Sequence, residues 1–257
     1  MPITTEERNR RIREQQAKFA PHVKDFCHDH GSPTKPVGHA SGIETSRNIL
    51  RGYRRLHRKE SQNVEPEQVI NVLVEAGVKQ WVLMGLYGYV GYLAQPRATQ
   101  DVDILVSEKD LERAIEAIQT RWPKLQMQRL EVVVRFRDPG EIAIDREMKQ
   151  VIDLMRPIDA CYQAILKKHF LFDPKTGHRI PVIEAACASK FAAIVSPYRQ
   201  WEKKQQDAVD LRSILLPNYE TLNRKKLKSL GDLVYPGGGA ELLEFLELAK
   251  NQKPFPV

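Results

Sequence analysis

The stretch GLYGYVGYLAQPRATQDVDILV, Gly85 to Val106, decides how the chain reads. The apolar run Trp81 to Met84 precedes it as a strand, and glycines punctuate a helix after it. A basic turn, Pro96-Arg97-Ala98-Thr99, then delivers Asp101-Val102-Asp103 on a second strand. Side chains alternate along a strand, so Asp101 and Asp103 face one way while Val102, Ile104 and Val106 face the core. Two like charges on a mostly buried strand repel each other and resist desolvation, so they need a cation or strong donors beside them. Hard divalent ions such as Mg²⁺ take one or two carboxylates and complete their shell with water and substrate phosphates. A plainer reading stays open: a D-x-D at a strand end whose acids sit in solvent.

Gly85 favours the first reading. It lies where a strand hands over to a helix, a junction whose backbone N–H groups favour phosphate, and the missing Cβ lets phosphate come close. At these residues the chain resembles the DNA polymerase β-like nucleotidyltransferase superfamily. That signature is an apolar strand, a glycine followed by Gly or Ser, and an Asp-x-Asp/Glu on the next strand. The AbiEii-type, toxin-like branch adds an Arg-x-Thr-x-Asp-x-Asp run, which here reads Arg97-Ala98-Thr99-Gln100-Asp101-Val102-Asp103. Leu86 stands where the family has Gly or Ser.

The resemblance implies a third carboxylate on a later strand. Val151 to Met155, VIDLM, places Asp153 inside an apolar strand, where an acid needs a partner. Asp145, in IAID, is the competing assignment. The resemblance also implies an apolar strand, a helical lysine, an arginine and a pair of acids ahead of a leucine-rich helix. These match Ile180-Pro181-Val182, Lys190, Arg199, and Asp207 with Asp210. The expected site therefore has Asp101, Asp103 and Asp153 as catalytic and Mg²⁺- or Mn²⁺-binding residues. Gly85, Leu86, Arg97, Thr99, Lys190 and Arg199 would lie around a nucleoside triphosphate. Read without the resemblance, Lys190 snorkels to solvent and Lys203 or Lys204 forms a helical ion pair with Asp207.

With 257 residues the chain can bury a substantial core, and three scattered cysteines, Cys27, Cys161 and Cys187, suit a reducing compartment better than a disulfide framework. The polar start, Met1 to Arg13, lacks the apolar run of a signal peptide, and Trp81 to Ala94 is too short for a bilayer, so a soluble cytoplasmic protein is expected. Formal net charge is +7, and Met1 to Glu60 holds thirteen Lys and Arg against seven Asp and Glu. Concentrated positive charge attracts polyanions, so RNA or DNA is one expected partner of this region, and a solvated extension is the other reading.

Composition divides the chain at 1–62, a basic and partly disordered or helical extension; 63–216, the nucleotidyltransferase-like domain; and 217–257, a C-terminal helical segment. Glu6 to Phe19 is helical by propensity, and Pro21 to Ser46 reads as loop or disorder. Cys27-His28-Asp29-His30 has no second ligand pair at a zinc-binding spacing. Arg47 to Lys59 is a basic helix interrupted by Gly52, docking through Ile49, Tyr53 and Leu56. Pro66 starts a helix with Val69, Ile70 and Leu73 on one face, and Lys109 to Thr120 repeats that period. Leu130 to Phe136 and Glu141 to Asp145 read as strands parted by the turn Asp138-Pro139-Gly140. Two helices follow Arg179 to Ile183, and Pro236-Gly237-Gly238-Gly239 reads as a flexible linker between two more. The sum is an α/β, or α+β, arrangement: a mixed sheet flanked by helices.

Two functions follow. One is a Mg²⁺-dependent nucleotidyltransferase acting on an RNA or protein acceptor, with a toxin role and a cognate antitoxin implied by the resemblance. The other, favoured by Leu86, is a catalytically degenerate nucleotidyltransferase fold that binds nucleic acid or protein.

Overall fold

Period-2 alternation builds the sheet and period-3.6 apolar faces cover it. In the computed structural model, which describes residues 36–57, 64–142 and 148–256 with isolated helical positions 6, 7, 10, 11 and 14, the sheet has five strands. They are β1 (Trp81–Leu83), β2 (Val102–Val106), β3 (Gln126–Arg129), β4 (Val133–Ile142) and β5 (Met148–Met155), in the spatial order β1-β2-β5-β4-β3. β2 and β5 run parallel, and every other neighbouring pair is antiparallel. The sheet is mixed, and helices flank it.

Two helices close one face. α1 (Pro36–His57) comes first in the chain, α2 is Pro66–Glu75, and α4 (Leu111–Arg121) lies beyond the short α3 (Gly85–Tyr89). Val69, Ile70 and Leu73 of α2 and Ala114, Ile115 and Ile118 of α4 share one buried cluster with Val102, Ile104 and Val106 of β2 and Ile152 and Leu154 of β5. The acids between those apolar residues, Asp103 and Asp153, therefore project from the opposite face. There β2 continues as Leu105, which packs into a second cluster. That cluster is built by α5 (Ala160–Lys168), α6 (Ile183–Val195), α7 (Trp201–Leu215), α8 (Arg224–Val234) and α9 (Gly238–Lys250). A hairpin, β6 (Phe170–Phe172) with β7 (Arg179–Pro181), adjoins β1. Residues beyond 216 thus share a core with the cleft-forming helix α6.

Several expectations need correction. The loop read from Pro21 to Ser46 is helical from Pro36 onward, and its earlier part lies outside the described residues. Its period is hidden because glycines make the contact. A Cβ on Gly91 would come within 2.5 Å of the His39 backbone, and one on Gly42 within 3.0 Å of Val90. The buried face of α1 reads Gly38, His39, Gly42, Ile43, Ser46 and Leu50, with hardly an apolar stripe to detect. The same helix runs unbroken through Gly52, and Ile49, expected to dock, is exposed. The turn at Asp138-Pro139-Gly140 is a bulge inside β4: the Asp138 carboxylate accepts from Gly140 N–H at 2.8 Å, and the ladder resumes at Ile142. Proline leaves the ladder there because it has no N–H to give. The strand β3 was missed because its four residues, QMQR, are all exposed and carry no alternation. The glycine run at 237–239 is a packed corner rather than a loose linker, since a Cβ on Gly239 would lie 2.2 Å from Lys228 O and one on Gly231 2.8 Å from Gly239 Cα. Cys27 to His30, Asp145 and the side chains of Tyr53 and Leu56 lie outside what the structure describes.

Candidate functional site

A transverse row of polar side chains crosses three strands. β4 pairs Arg135 with Asp153 of β5, and β5 pairs Asp153 with Asp103 of β2. On the far side of β2, Met84 N–H donates to the Asp103 carbonyl at 2.8 Å, which brings the next residue, Gly85, alongside the acid. Gly85 has φ +55°, left-handed backbone that costs an L side chain about 1–2 kcal/mol. Space forbids one as well: a Cβ there would sit 1.8 Å from Asp103 Oδ2. Glycine is needed at this junction for conformation and for room.

Around the row the carboxylates hold high proton affinity. Burial is the first cause for Asp103, and the charges of Asp101 and Asp153 add to it; Lys190 and Arg199 act the other way without cancelling the rise. Asp153 is pushed up to about 7, again by burial first and by Asp101, against the opposing pull of Arg135. Its Oδ2 accepts from Gln150 Nε2 at 2.5 Å and from Arg135 Nε at 3.4 Å, while Oδ1 is buried with no hydrogen-bond partner among the described residues. Thr99 Oγ1 donates to Asp101 Oδ1 and fixes that carboxylate at the end of the basic turn.

A second set of charges forms the wall opposite. Lys190 Nζ, from the middle of α6, donates to Asp207 Oδ1 and Asp210 Oδ2 of α7, each at 2.8 Å. Arg97 grips Asp210 through Nη2 at 2.9 Å to both oxygens, and Arg199 Nη2 lies 2.8 Å from Asp207. Tyr89 O–H donates to Asp210 at 2.7 Å, and Lys190 stands 5.1 Å from its ring centre. Burial opposes the charge on Lys190, but Tyr89, Asp210 and Asp207 outweigh it and raise its pKa. Burial alone would raise Asp210 as well; Lys190, Tyr89 and Arg97 hold it below the usual range. Lys190 neither snorkels to solvent nor leaves Asp207 to Lys203 or Lys204. The three cations and two acids form a rigid group with one positive charge in excess.

Both groups open on one cleft of about 1890 Å³, lined by Gly85, Leu86, Arg97, Thr99, Asp101, Asp103, Asp153, Lys190 and Arg199 among others. These nine residues, from the four elements α3, β2, β5 and α6 and from two turns, thus meet in one place. Leu86 differs from the rest, because its side chain is buried in the cluster with Val82 and Leu105, so only its backbone is available to a ligand. Sequence reasoning passed over Tyr89, Arg135 and Gln150. Arg135 did carry a signal: in VVVRFR it alternates with Val134 and Phe136, which places it on the same face as the acid row. Nothing in the sequence pointed Tyr89 at Asp210, which is 121 residues away.

Among the described residues no group of three or more His, Cys, Asp or Glu side chains is placed to hold a metal ion by itself. An open site suits Mg²⁺, which takes few protein carboxylates and keeps sites for water and phosphate. The buried, unpartnered Asp153 Oδ1 and the mutual repulsion of three carboxylates fit such a cation.

No family model and no curated protein matches the chain. Among solved structures it is similar to a crystal structure of an antigenic nucleotidyltransferase-like protein from Paracoccidioides brasiliensis. Identity is 14%, the match covers 70% of this chain and 92% of that one, and the TM-score is 0.37. Among the described residues no helix is long and apolar enough to cross a membrane.

Proposed function

We propose that the chain is a divalent-metal-dependent nucleotidyltransferase that moves a nucleoside monophosphate from a triphosphate to a nucleophilic acceptor. The observation that carries this reading is the fit of Gly85 against Asp103. A strand-to-helix junction stripped of its side chain stands beside an acid that is itself in register with Asp153. A scaffold has no use for three mutually repelling carboxylates on a cleft floor, which costs stability unless a cation compensates.

Asp101, Asp103 and Asp153 would hold Mg²⁺ or Mn²⁺, which when bound would offset triphosphate charge and favour the ionised acceptor. The chain's own residues do the positioning. Gly85 leaves room for the Asp103 carboxylate to lie against the strand-to-helix junction, and Thr99 holds the Asp101 carboxylate by a hydrogen bond. The group of Arg97, Lys190 and Arg199, locked by Asp207 and Asp210, presents its one excess positive charge without needing to reorganise, which is how preorganised charge favours a reaction. Asp153, the acid nearest Arg135 and Gln150, has the high proton affinity that suits a residue accepting a proton from the acceptor. An AbiEii-like toxin role with a cognate antitoxin belongs to this reading as its narrowest form.

The test is pyrophosphate release from each nucleoside triphosphate with Mg²⁺ or Mn²⁺, in the presence of total RNA or of the protein alone. Release above background that disappears in Asp103→Asn supports transfer; no release under any condition from a folded protein removes it. A second reading, a degenerate fold that binds without turnover, is favoured by two observations: the Leu86 side chain serves the core, and Lys190 is already paired with two acids. It predicts nucleotide-dependent stabilisation without pyrophosphate.

A further inference from the structure

The turn between α6 and α7 carries the most exposed aromatic side chain among the described residues. Tyr198 is 95% exposed and Trp201 63% exposed, three residues apart, while apolar aromatic area is normally buried. Basic residues accompany them: Arg199, Lys203 and Lys204, against the one acid Glu202. Arg199 is held by Asp207, whereas neither Lys203 nor Lys204 has an ion-pair partner among the described residues. Tyr198, Lys203 and Lys204 line the mouth of the cleft whose floor holds Asp101, Asp103 and Asp153.

From this placement we infer that the α6–α7 turn is a platform for single-stranded nucleic acid, with Tyr198 and Trp201 stacking on bases and Lys203 and Lys204 meeting the phosphates beside them. Every base offers a π-face, so exposed aromatics interleaved with lysines suit a strand of any sequence. A purely apolar protein interface would leave the two lysine charges to be desolvated without partners, at a cost the nucleic acid does not impose. Charge decides between the two kinds of partner. Only the description of the bound strand as the acceptor rests on the transferase reading; the surface itself does not. Placed at the mouth, the platform would lead the strand's end toward the acid row.

The test uses the full-length protein and an unstructured single-stranded RNA oligonucleotide of about a dozen nucleotides, a length within the usual site size. Trp81 and Trp122 are buried, so quenching of tryptophan fluorescence reports chiefly on Trp201. Saturable quenching is expected in the wild type. Tyr198→Ala with Trp201→Ala, followed by anisotropy of a labelled strand, should weaken binding about tenfold or more. Lys203→Gln with Lys204→Gln should flatten the slope of log affinity against log salt by about 1.4, since each phosphate contact in a single strand contributes about 0.7. Absence of binding, or affinity and slope unchanged in both variants, overturns the proposal; a surface built for a protein partner would give that result. Nucleotide-dependent stabilisation should survive in the aromatic variant. Strand binding through these residues in a protein that releases no pyrophosphate would remove the transferase reading and leave the platform standing.

Discussion

Asp153→Asn should make the metal-free protein more stable, and by an amount that grows with pH. Asp153 is buried, its carboxyl is pushed up to about 7 from an ordinary 3.8, and burial is the largest cause. The sign follows from proton counting. Between pH 3.8 and 7 the native state holds this proton more tightly than the unfolded chain, so stability falls as pH rises through that window and stays low above it. At about 1.4 kcal/mol per pH unit the full loss has a ceiling of ~4 kcal/mol. Asparagine keeps the shape, cannot ionise, and escapes the loss, though it gives up attraction to Arg135. Urea unfolding of both proteins in chelator at pH 5 and pH 8 measures the gap; titrating groups away from the acid row cancel in the difference, while Asp103, whose proton affinity the Asp153 charge raises, adds to it. A gap that widens by about 2–3 kcal/mol between these values is expected on this arithmetic. A gap independent of pH, or a variant progressively less stable as pH rises, would refute the reasoning.

Gly85→Ala should cost about 1–2 kcal/mol from the left-handed backbone and should displace Asp103. A small fall in Tm together with complete loss of Mg²⁺- and nucleotide-dependent stabilisation is the expected pair of results, and retention of that stabilisation would contradict the fit. Lys190→Ala leaves Asp207 and Asp210 buried with Arg199 and Arg97 as the cations that still face them, so chemical denaturation should show a loss of about 3 kcal/mol, at the low end for a broken buried pair. The His39–His178 pair, Nε2 to Nδ1 at 2.9 Å, ties α1 to the turn before β7; burial lowers His39 to about 3 and His178 to about 4. Both stay neutral while the unfolded chain protonates, so stability should fall as pH drops from 6.5 toward 4, by about 1.4 kcal/mol per pH unit for each histidine. His178→Asn should make that acid limb of the stability profile shallower, which unfolding at pH 4.5, 5.5 and 6.5 would show.

Much of the fold was legible because its signals are local. Strands β2 and β5 carry apolar runs broken by one acid each, and α2 and α4 carry stripes at helical spacing, so element type and the facing of Asp101, Asp103 and Asp153 could be read residue by residue. What could not be read depends on distant partners. Helix α1 packs through Gly38 and Gly42 against Gly91 and Val90, and a glycine face has no apolar period. Edge strand β3 buries nothing, so it leaves no pattern. The basic character of α1 was visible, but its pairing was not: Arg47 meets Glu65 at 2.7 Å and Arg51 meets Glu65 at 2.9 Å, which binds part of that charge to the protein itself. At the site, the motif order located Lys190, Arg199, Asp207 and Asp210. It could not say that they pair with one another, because that follows from α6 lying against α7.

Transfer of a nucleoside monophosphate, with attack at the α-phosphorus and pyrophosphate leaving, is measured most directly by following the label. The protein is incubated with Mg²⁺ or Mn²⁺ and each nucleoside triphosphate labelled in turn at the α or the γ position, with total RNA or with the protein alone as acceptor. Transfer of a nucleoside monophosphate predicts that α-label becomes covalently attached to one acceptor, that γ-label leaves as pyrophosphate, and that both effects vanish in Asp103→Asn. Attachment of γ-label, or α-label attached equally by Asp103→Asn, would contradict nucleotidyl transfer at this acid row.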